Sequence, residues 1–226
     1  MNSNSRIAVI FTIGTIGIIA VLVAVVAAMI LSRPAPPEID TDPETELPST
    51  LRDDTHRLSE GSTDLVLVEF LDFECEACGA FYPYVEELRA EYGDRVTFAF
   101  RYFPLPGHGN AVNAAVAVEA AARQGQLEAM YARLFETQAE WGERGADSQA
   151  PLFRQYAQQI GLDLEQYDAD VADPAARERV DSDFRDGIAL GVQSTPTFFL
   201  NDARVQLASF EDLRTALEEA LARARS

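Results

Sequence analysis

Charged residues are missing from the first apolar stretch of this chain. The 25 positions from Ile7 to Leu31 carry no charge. At 1.5 Å of rise per residue such a run crosses a hydrocarbon core of ~30 Å. The pattern therefore predicts one N-terminal transmembrane helix, with a membrane anchor over residues 1–32. The run is longer than the apolar region of a cleaved secretory signal, and the small-residue cleavage site is poor. No cysteine follows it, which excludes a lipoprotein anchor. Pro34 to Thr50 then holds five prolines together with Glu38, Asp40, Asp42, Glu44 and Glu46. That composition buries too little apolar surface to fold, so residues 33–55 read as an acidic, Pro-rich tether. Residues 56–226 have the alternating and helical patterns of one folded domain.

Inside that domain, Leu65–Phe73 reads as an apolar strand with a single acid, Glu69, in its middle. A helical pattern runs from Cys75 to about Tyr92, and Gly93 is a helix stop. Val96–Phe103 alternates as a second strand. A strand, helix and strand in this order imply a parallel pair with a right-handed crossover. From about 110 to 190 the pattern is helical. Leu127, Met130, Tyr131, Leu134 and Phe135 share one face, as do Phe153, Tyr156, Ala157 and Ile160, and Val180, Phe184 and Ile188 make a last stripe. These stripes are a helical core. Strand signals return at Thr197–Leu200 and Val205–Leu207. Ser209 with Asp212 forms a capping box that opens a final helix to about Arg223. The chain is an α/β protein with a helical block inserted at about 110–190.

Charge narrows the classes of partner. The formal net charge is −19, all 18 basic residues are arginine, and lysine is absent. This argues against a nucleic-acid partner and against a peripheral grip on anionic lipid. The acids are scattered, which fits a solvated surface.

Candidate chemistry is concentrated in Phe73-Glu74-Cys75-Glu76-Ala77-Cys78, which holds the only two cysteines. A Cys-x-x-Cys where a strand hands over to a helix is the layout of a thiol–disulfide exchange site. At i and i+3 both sulfurs lie on one helix face. Cys75 sits at the helix N-terminus, where free N–H groups and the macrodipole favour a thiolate. Cys75 is thus the candidate nucleophile and Cys78, one turn inside, the resolving thiol. The helix terminus alone should lower the Cys75 pKa by about one unit, and Glu74 and Glu76 should oppose it, weakened by screening. Other readings of the pair stay open. A zinc site needs four ligands, and only His56 and His108 accompany the cysteines. A c-type haem needs histidine where Gly79 stands. A structural disulfide closing so short a loop gains little, and a plain buried pair is the bland alternative. No cofactor and no metal are expected.

Three further features agree with the exchange reading. Pro83 follows Cys75 by eight residues, Glu69 precedes it by six, and Thr195-Pro196 introduces an apolar strand far downstream. With these, residues 60–224 resemble the thioredoxin superfamily and, more closely, its DsbA-like branch. The resemblance implies a thioredoxin fold with an inserted helical domain and thiol–disulfide oxidoreductase activity. It implies a buried acid at Glu69 and a cis peptide at Thr195-Pro196 lying against the cysteines, where an extended client segment pairs by β-type hydrogen bonds. It also implies clients that are secreted or envelope proteins with free thiols, and a membrane redox partner that resets the pair. The Glu-Ala dipeptide departs from the usual patterns and sets an intermediate redox potential, between strong oxidants and thioredoxins. Glu69, in an apolar strand, would have a raised pKa and would exchange a proton with Cys78. Asp72 reads as an ordinary solvated acid, His108 as a plain loop histidine, and Trp141 and His56 carry no usable signal. A disulfide-forming oxidase, its domain on the extracytoplasmic side of a cell membrane, is the expected function. A reductase, an isomerase, or a non-catalytic metal- or client-binding protein are the alternatives.

Overall fold

A computed structural model describes residues 47–142, 145 and 147–224. The expected transmembrane helix over 7–31 and most of the tether lie outside the described residues. Among the described residues, no helix is long and apolar enough to cross a membrane.

Five strands of the described residues form one sheet: β1 (His56–Arg57), β2 (Val66–Leu71), β3 (Thr97–Tyr102), β4 (Thr197–Leu200) and β5 (Ala203–Arg204), in the order β1-β3-β2-β4-β5. β2 and β3 are parallel, joined through α1 (Glu76–Tyr92), and the remaining neighbours are antiparallel. β2 is central and buried on both faces, which is why it reads as a nearly continuous apolar run. Period-two alternation divides its side chains. Leu67 and Leu71 join the main core with Phe98, Phe100, Tyr102 and Phe198. Val68 and Phe70 join a second core with Ala99, Phe103, Val192 and Phe199. Glu69 is registered between Phe100 and Phe198, so the one acid of the strand lies in the main-core row.

The helical block comprises α2 (Ala111–Arg123), α3 (Leu127–Glu136), α4 (Gln138–Trp141), α5 (Ala150–Gln159), α6 (Leu164–Ala172) and α7 (Pro174–Ala189). Alanines keep α2 thin, and it is buried along most of its length while α3, α5, α6 and α7 pack around it. Trp141 is fully buried, edge-on to Phe153, and its indole N–H donates to Leu134 O at 3.1 Å. The last helix, α8 (Glu211–Ala224), is capped from inside: the Asp212 carboxylate accepts the N–H groups of Ala208 and Ser209.

Three differences from the sequence reading have local causes. β1 was not expected; it is a two-residue edge strand, too short to alternate. The last strand lies at Ala203–Arg204, not at Val205–Leu207. Asn201 takes a left-handed conformation (φ 54°) and turns the chain at once, so that Leu200 pairs with Ala203. Residues 47–55, expected to belong to the tether, pack on the domain. Arg101 on β3 is fully buried and needs partners. It bonds Asp183 at 2.7 Å and donates to Ser49 O at 3.1 Å, while Arg52 reaches Asp186 and Arg179 donates to Asp54 O.

Candidate active site

A parallel strand pair delivers its carboxyl ends to one edge of the sheet, where open α/β sheets place their sites. Here the residues after β2 and after β3 emerge side by side. β4 runs antiparallel to β2 and brings its N-terminal end to the same edge. Cys75, the loop Pro104–Asn110 and Thr195-Pro196 are thereby assembled from three distant parts of the chain.

Cys75 is the N-cap of α1, in extended conformation (φ −71°, ψ 120°). Its N–H donates to Asp72 O at 3.1 Å, and its carbonyl accepts the first helical bond, from Gly79 N–H at 3.0 Å. Thr195-Pro196 is cis, and Cys75 Sγ lies 3.5 Å from Thr195 O. Cys78 is fully buried, whereas Cys75 keeps 7% exposure. Both are free thiols, and Cys78 Sγ accepts the Asp72 N–H at 3.5 Å.

The electrostatics separate the two sulfurs. The Cys75 pKa is lowered to about 5, chiefly by a hydrogen bond from the Cys78 thiol. Burial opposes this, and the Thr195 hydroxyl and the N–H groups of Cys78 and Ala77 add to the lowering. Among the described residues the buried Thr195 hydroxyl has no hydrogen-bond partner, so it is free for that sulfur. Helix N–H groups alone were expected to lower this thiol by about one unit; the Cys78 thiol and Thr195 account for the larger effect. Cys78 is pushed well above its ordinary value by burial, by its bond to Cys75 and by the charges of Glu69 and Cys75. Glu69 is buried and pushed up to about 8 by desolvation, then by the charges of Cys75 and Glu86. Among the described residues no hydrogen-bond donor meets its carboxylate. At neutral pH the site therefore holds a thiolate outside, and a thiol and a protonated carboxyl inside.

Two residues beside the cysteines are not where their polarity suggested. Asp72 is buried and not solvated. Its Oδ1 accepts the Glu74 N–H at 2.8 Å, and its Oδ2 accepts the Leu105 N–H at 2.8 Å and stands 2.7 Å from His108 Nδ1. Burial raises its pKa, and the bonds from Leu105, Glu74 and His108 pull it back. His108 is thus a hydrogen-bond partner of Asp72 at the site and not a plain loop residue. Glu74 is also turned inward, where its carboxylate accepts the Asn110 N–H at 2.6 Å. Only Glu76 of the two flanking acids is exposed. Parallel pairing of β2 and β3 was the signal that could have located His108, because it places the loop after β3 beside the turn after β2.

The helical block supplies one more positioning side chain. Gln138 Nε2 donates to Phe73 O at 2.7 Å and to Cys75 O at 2.9 Å, holding the turn before α1 from outside. Gly79 makes room for it: a Cβ there would stand 2.1 Å from Gln138 Oε1. Pro83 lies inside α1 on its exposed side. Among the described residues no cluster of three or more histidine, cysteine or acidic side chains could hold a metal ion.

Comparison with known proteins agrees with this architecture. Residues 53–219 match the family model described as Thioredoxin. The Na(+)/H(+) antiporter NhaA 1 of Mycobacterium sp. (strain KMS) is 38% identical over 154 residues, covering 66% of this chain and 24% of that protein. The chain thus spans about a quarter of the length of the curated relatives it matches. A thioredoxin-like oxidoreductase from Silicibacter pomeroyi DSS-3 is 26% identical, with a TM-score of 0.63 over 76% of this chain and 94% of that one. Alpha-DsbA1 of Wolbachia pipientis shares the fold at 18% identity, with a TM-score of 0.65 over 79% of this chain and 94% of that one.

Proposed function

Because the chain belongs to the thioredoxin family and carries a thiol–disulfide oxidoreductase site, we propose that it forms disulfide bonds in client proteins. The observation that carries this reading is the division of the pair, a stabilised Cys75 thiolate beside a buried, protonated Cys78. A stabilised thiolate favours the reduced pair, which makes the Cys75–Cys78 disulfide a good electron acceptor. In the forward reaction a client thiolate attacks Cys75 Sγ. The Cys75–Cys78 bond breaks, and Cys78 leaves and takes the proton held by Glu69. A second client thiolate then attacks the client sulfur of the mixed disulfide and expels Cys75 as a thiolate. The client loses two electrons and gains a disulfide, and the pair is reduced. Thr195 and Pro196 border Cys75 and present main chain to an extended client segment.

Such a pair stays charged only in an oxidising compartment. The uncharged run over 7–31 supports an anchor that holds the domain on the extracytoplasmic side of the cell membrane. A membrane redox partner that removes the two electrons completes the cycle. Oxidative refolding tests the activity: stoichiometric oxidised protein should restore a reduced, unfolded enzyme whose activity needs its disulfides. Failure to restore it, with reduction of disulfide substrates instead, would make the protein a reductase. Protease added to intact spheroplasts should digest the domain; protection until lysis would place it in the cytoplasm.

A further inference from the structure

Acids crowd the nucleophile. Glu69, Asp72, Glu74 and Glu76 all lie within six residues of Cys75, and the dipeptide between the cysteines carries no cation. A nearby positive charge would favour an anionic sulfur at this position in addition to the hydrogen bonds it accepts. Among the described residues Glu69 has no hydrogen-bond donor, Glu74 is bonded to the main chain at Asn110, and Glu76 faces solvent. Asp72 is the acid of this group whose carboxylate meets a side chain that can be cationic, and that side chain is His108.

The seat of His108 is built by local sequence. Leu105-Pro106-Gly107-His108 closes a turn in which His108 N–H donates to Leu105 O at 3.2 Å. Proline stands second and glycine third, with φ 104° at Gly107, as in a type II turn. The turn is tied down by Asp72, whose carboxylate takes both the Leu105 N–H and the His108 ring nitrogen. The main chain of Asp72 meets both sulfur-bearing residues, its N–H at Cys78 Sγ and its carbonyl at the Cys75 N–H. One buried residue thus fixes the imidazole relative to the cysteine pair. With Nδ1 committed to Asp72, the His108 side chain stays partly exposed while Asp72 is fully buried.

We propose that His108, held by Asp72, is the counter-charge of the Cys75 thiolate and sets how strongly oxidising the pair is. This role rests on the thiol–disulfide exchange reading. His108 acts through the field at Cys75 and is a positioning residue, not a group that exchanges atoms with the client. The charged groups facing it are Asp72, Glu74 and Cys75, all from the turn that opens α1, and each favours the imidazolium, against desolvation. Its own loop, Pro104–Asn110, carries no other titratable side chain. Asp147, on the loop before α5, meets this region through its carbonyl, at Asn110 Nδ2.

The test is a thiolate-absorbance titration of the reduced full-length protein, His108→Gln and His108→Arg, with redox equilibrium against glutathione on the same samples. Circular dichroism confirms that each is folded. His108→Gln should raise the Cys75 pKa by about one unit and shift the glutathione equilibrium about tenfold towards the protein disulfide. His108→Arg supplies a fixed charge and should keep both near the wild-type values. A His108→Gln protein with unchanged titration and equilibrium overturns the role of His108. So does a His108→Arg protein that behaves like a neutral variant, which keeps the test alive should His108→Gln not fold. The titration reads Cys75 whether or not clients are oxidised. A wild-type protein that exchanges no thiols refutes the functional reading separately.

Discussion

Glu69 and Asp72 are both buried carboxylates, three residues apart at the end of one strand, yet they do opposite things. Glu69 points into the main core, meets no donor among the described residues and is pushed up to about 8. Asp72 turns towards the loop after β3, accepts two main-chain N–H groups and pairs with a histidine. Burial raises both, but only Asp72 has bonds that pull it back. The lesson is that donors decide the role of a buried acid, not burial. An acid without donors keeps a mobile proton and can serve the inner sulfur. An acid saturated with donors becomes an anchor, and here it anchors the His108 ring at the turn that carries the two sulfurs.

Removing the sulfurs tests the inner and outer division most severely. Cys75→Ser should abolish exchange, while Cys78→Ser should still attack and then accumulate mixed disulfides, seen as adducts on a non-reducing gel. Adducts on Cys75→Ser instead would reverse the assignment.

Glu69→Gln is the next largest effect. Without a carboxyl that gives and takes the Cys78 proton, exchange between Cys78 and a mixed disulfide should slow by about a hundredfold, measured in single turnover with oxidised glutathione. The same variant should be the more stable protein in mild alkali. Between the unfolded value of 4.5 and the folded value of about 8, native Glu69 keeps a proton that the unfolded chain has lost. Stability therefore falls as pH rises through that window and is flat on either side. Glu69→Gln, compared with wild type in the same redox state, should remove that slope and gain ~3–5 kcal/mol at pH 8. An unchanged slope would mean that Glu69 is hydrated and not a proton carrier.

Gly79→Ala should cost less than Gln138→Ala, because its Cβ meets only the far end of the flexible Gln138 side chain and alanine regains ~1 kcal/mol of helix propensity. Gln138→Ala should cost ~1–2 kcal/mol through the two lost hydrogen bonds. Chemical denaturation reads both. Glu76→Gln should be the smallest perturbation, moving the Cys75 pKa by less than about half a unit, since the side chain is exposed and screened by salt. A larger shift would return control of the site to the dipeptide.

Much of this arrangement was legible in residue order. The apolar run before Cys75, the helix after it, the parallel second strand and the Thr-Pro step together specify the sheet edge and its two sulfurs. The partners of Asp72 and Glu74 were not legible, because their donors come from Leu105, His108 and Asn110, more than thirty residues away. A polar side chain beside a motif reads as solvated until a distant loop closes over it. β1 was hidden for a related reason: His56 and Arg57 gain strand geometry only by pairing with Phe100 and Ala99. Gln138 carries no pattern of its own, and only the overlap with Gly79 explains both residues.

The equilibrium of the Cys75–Cys78 pair with glutathione tests the central claim most directly. A thiolate held as low as about 5 stabilises the reduced pair, so the disulfide should be a net oxidant with a potential above about −200 mV. A value near about −270 mV, where thioredoxin lies, would contradict the account and make the pair a reductant.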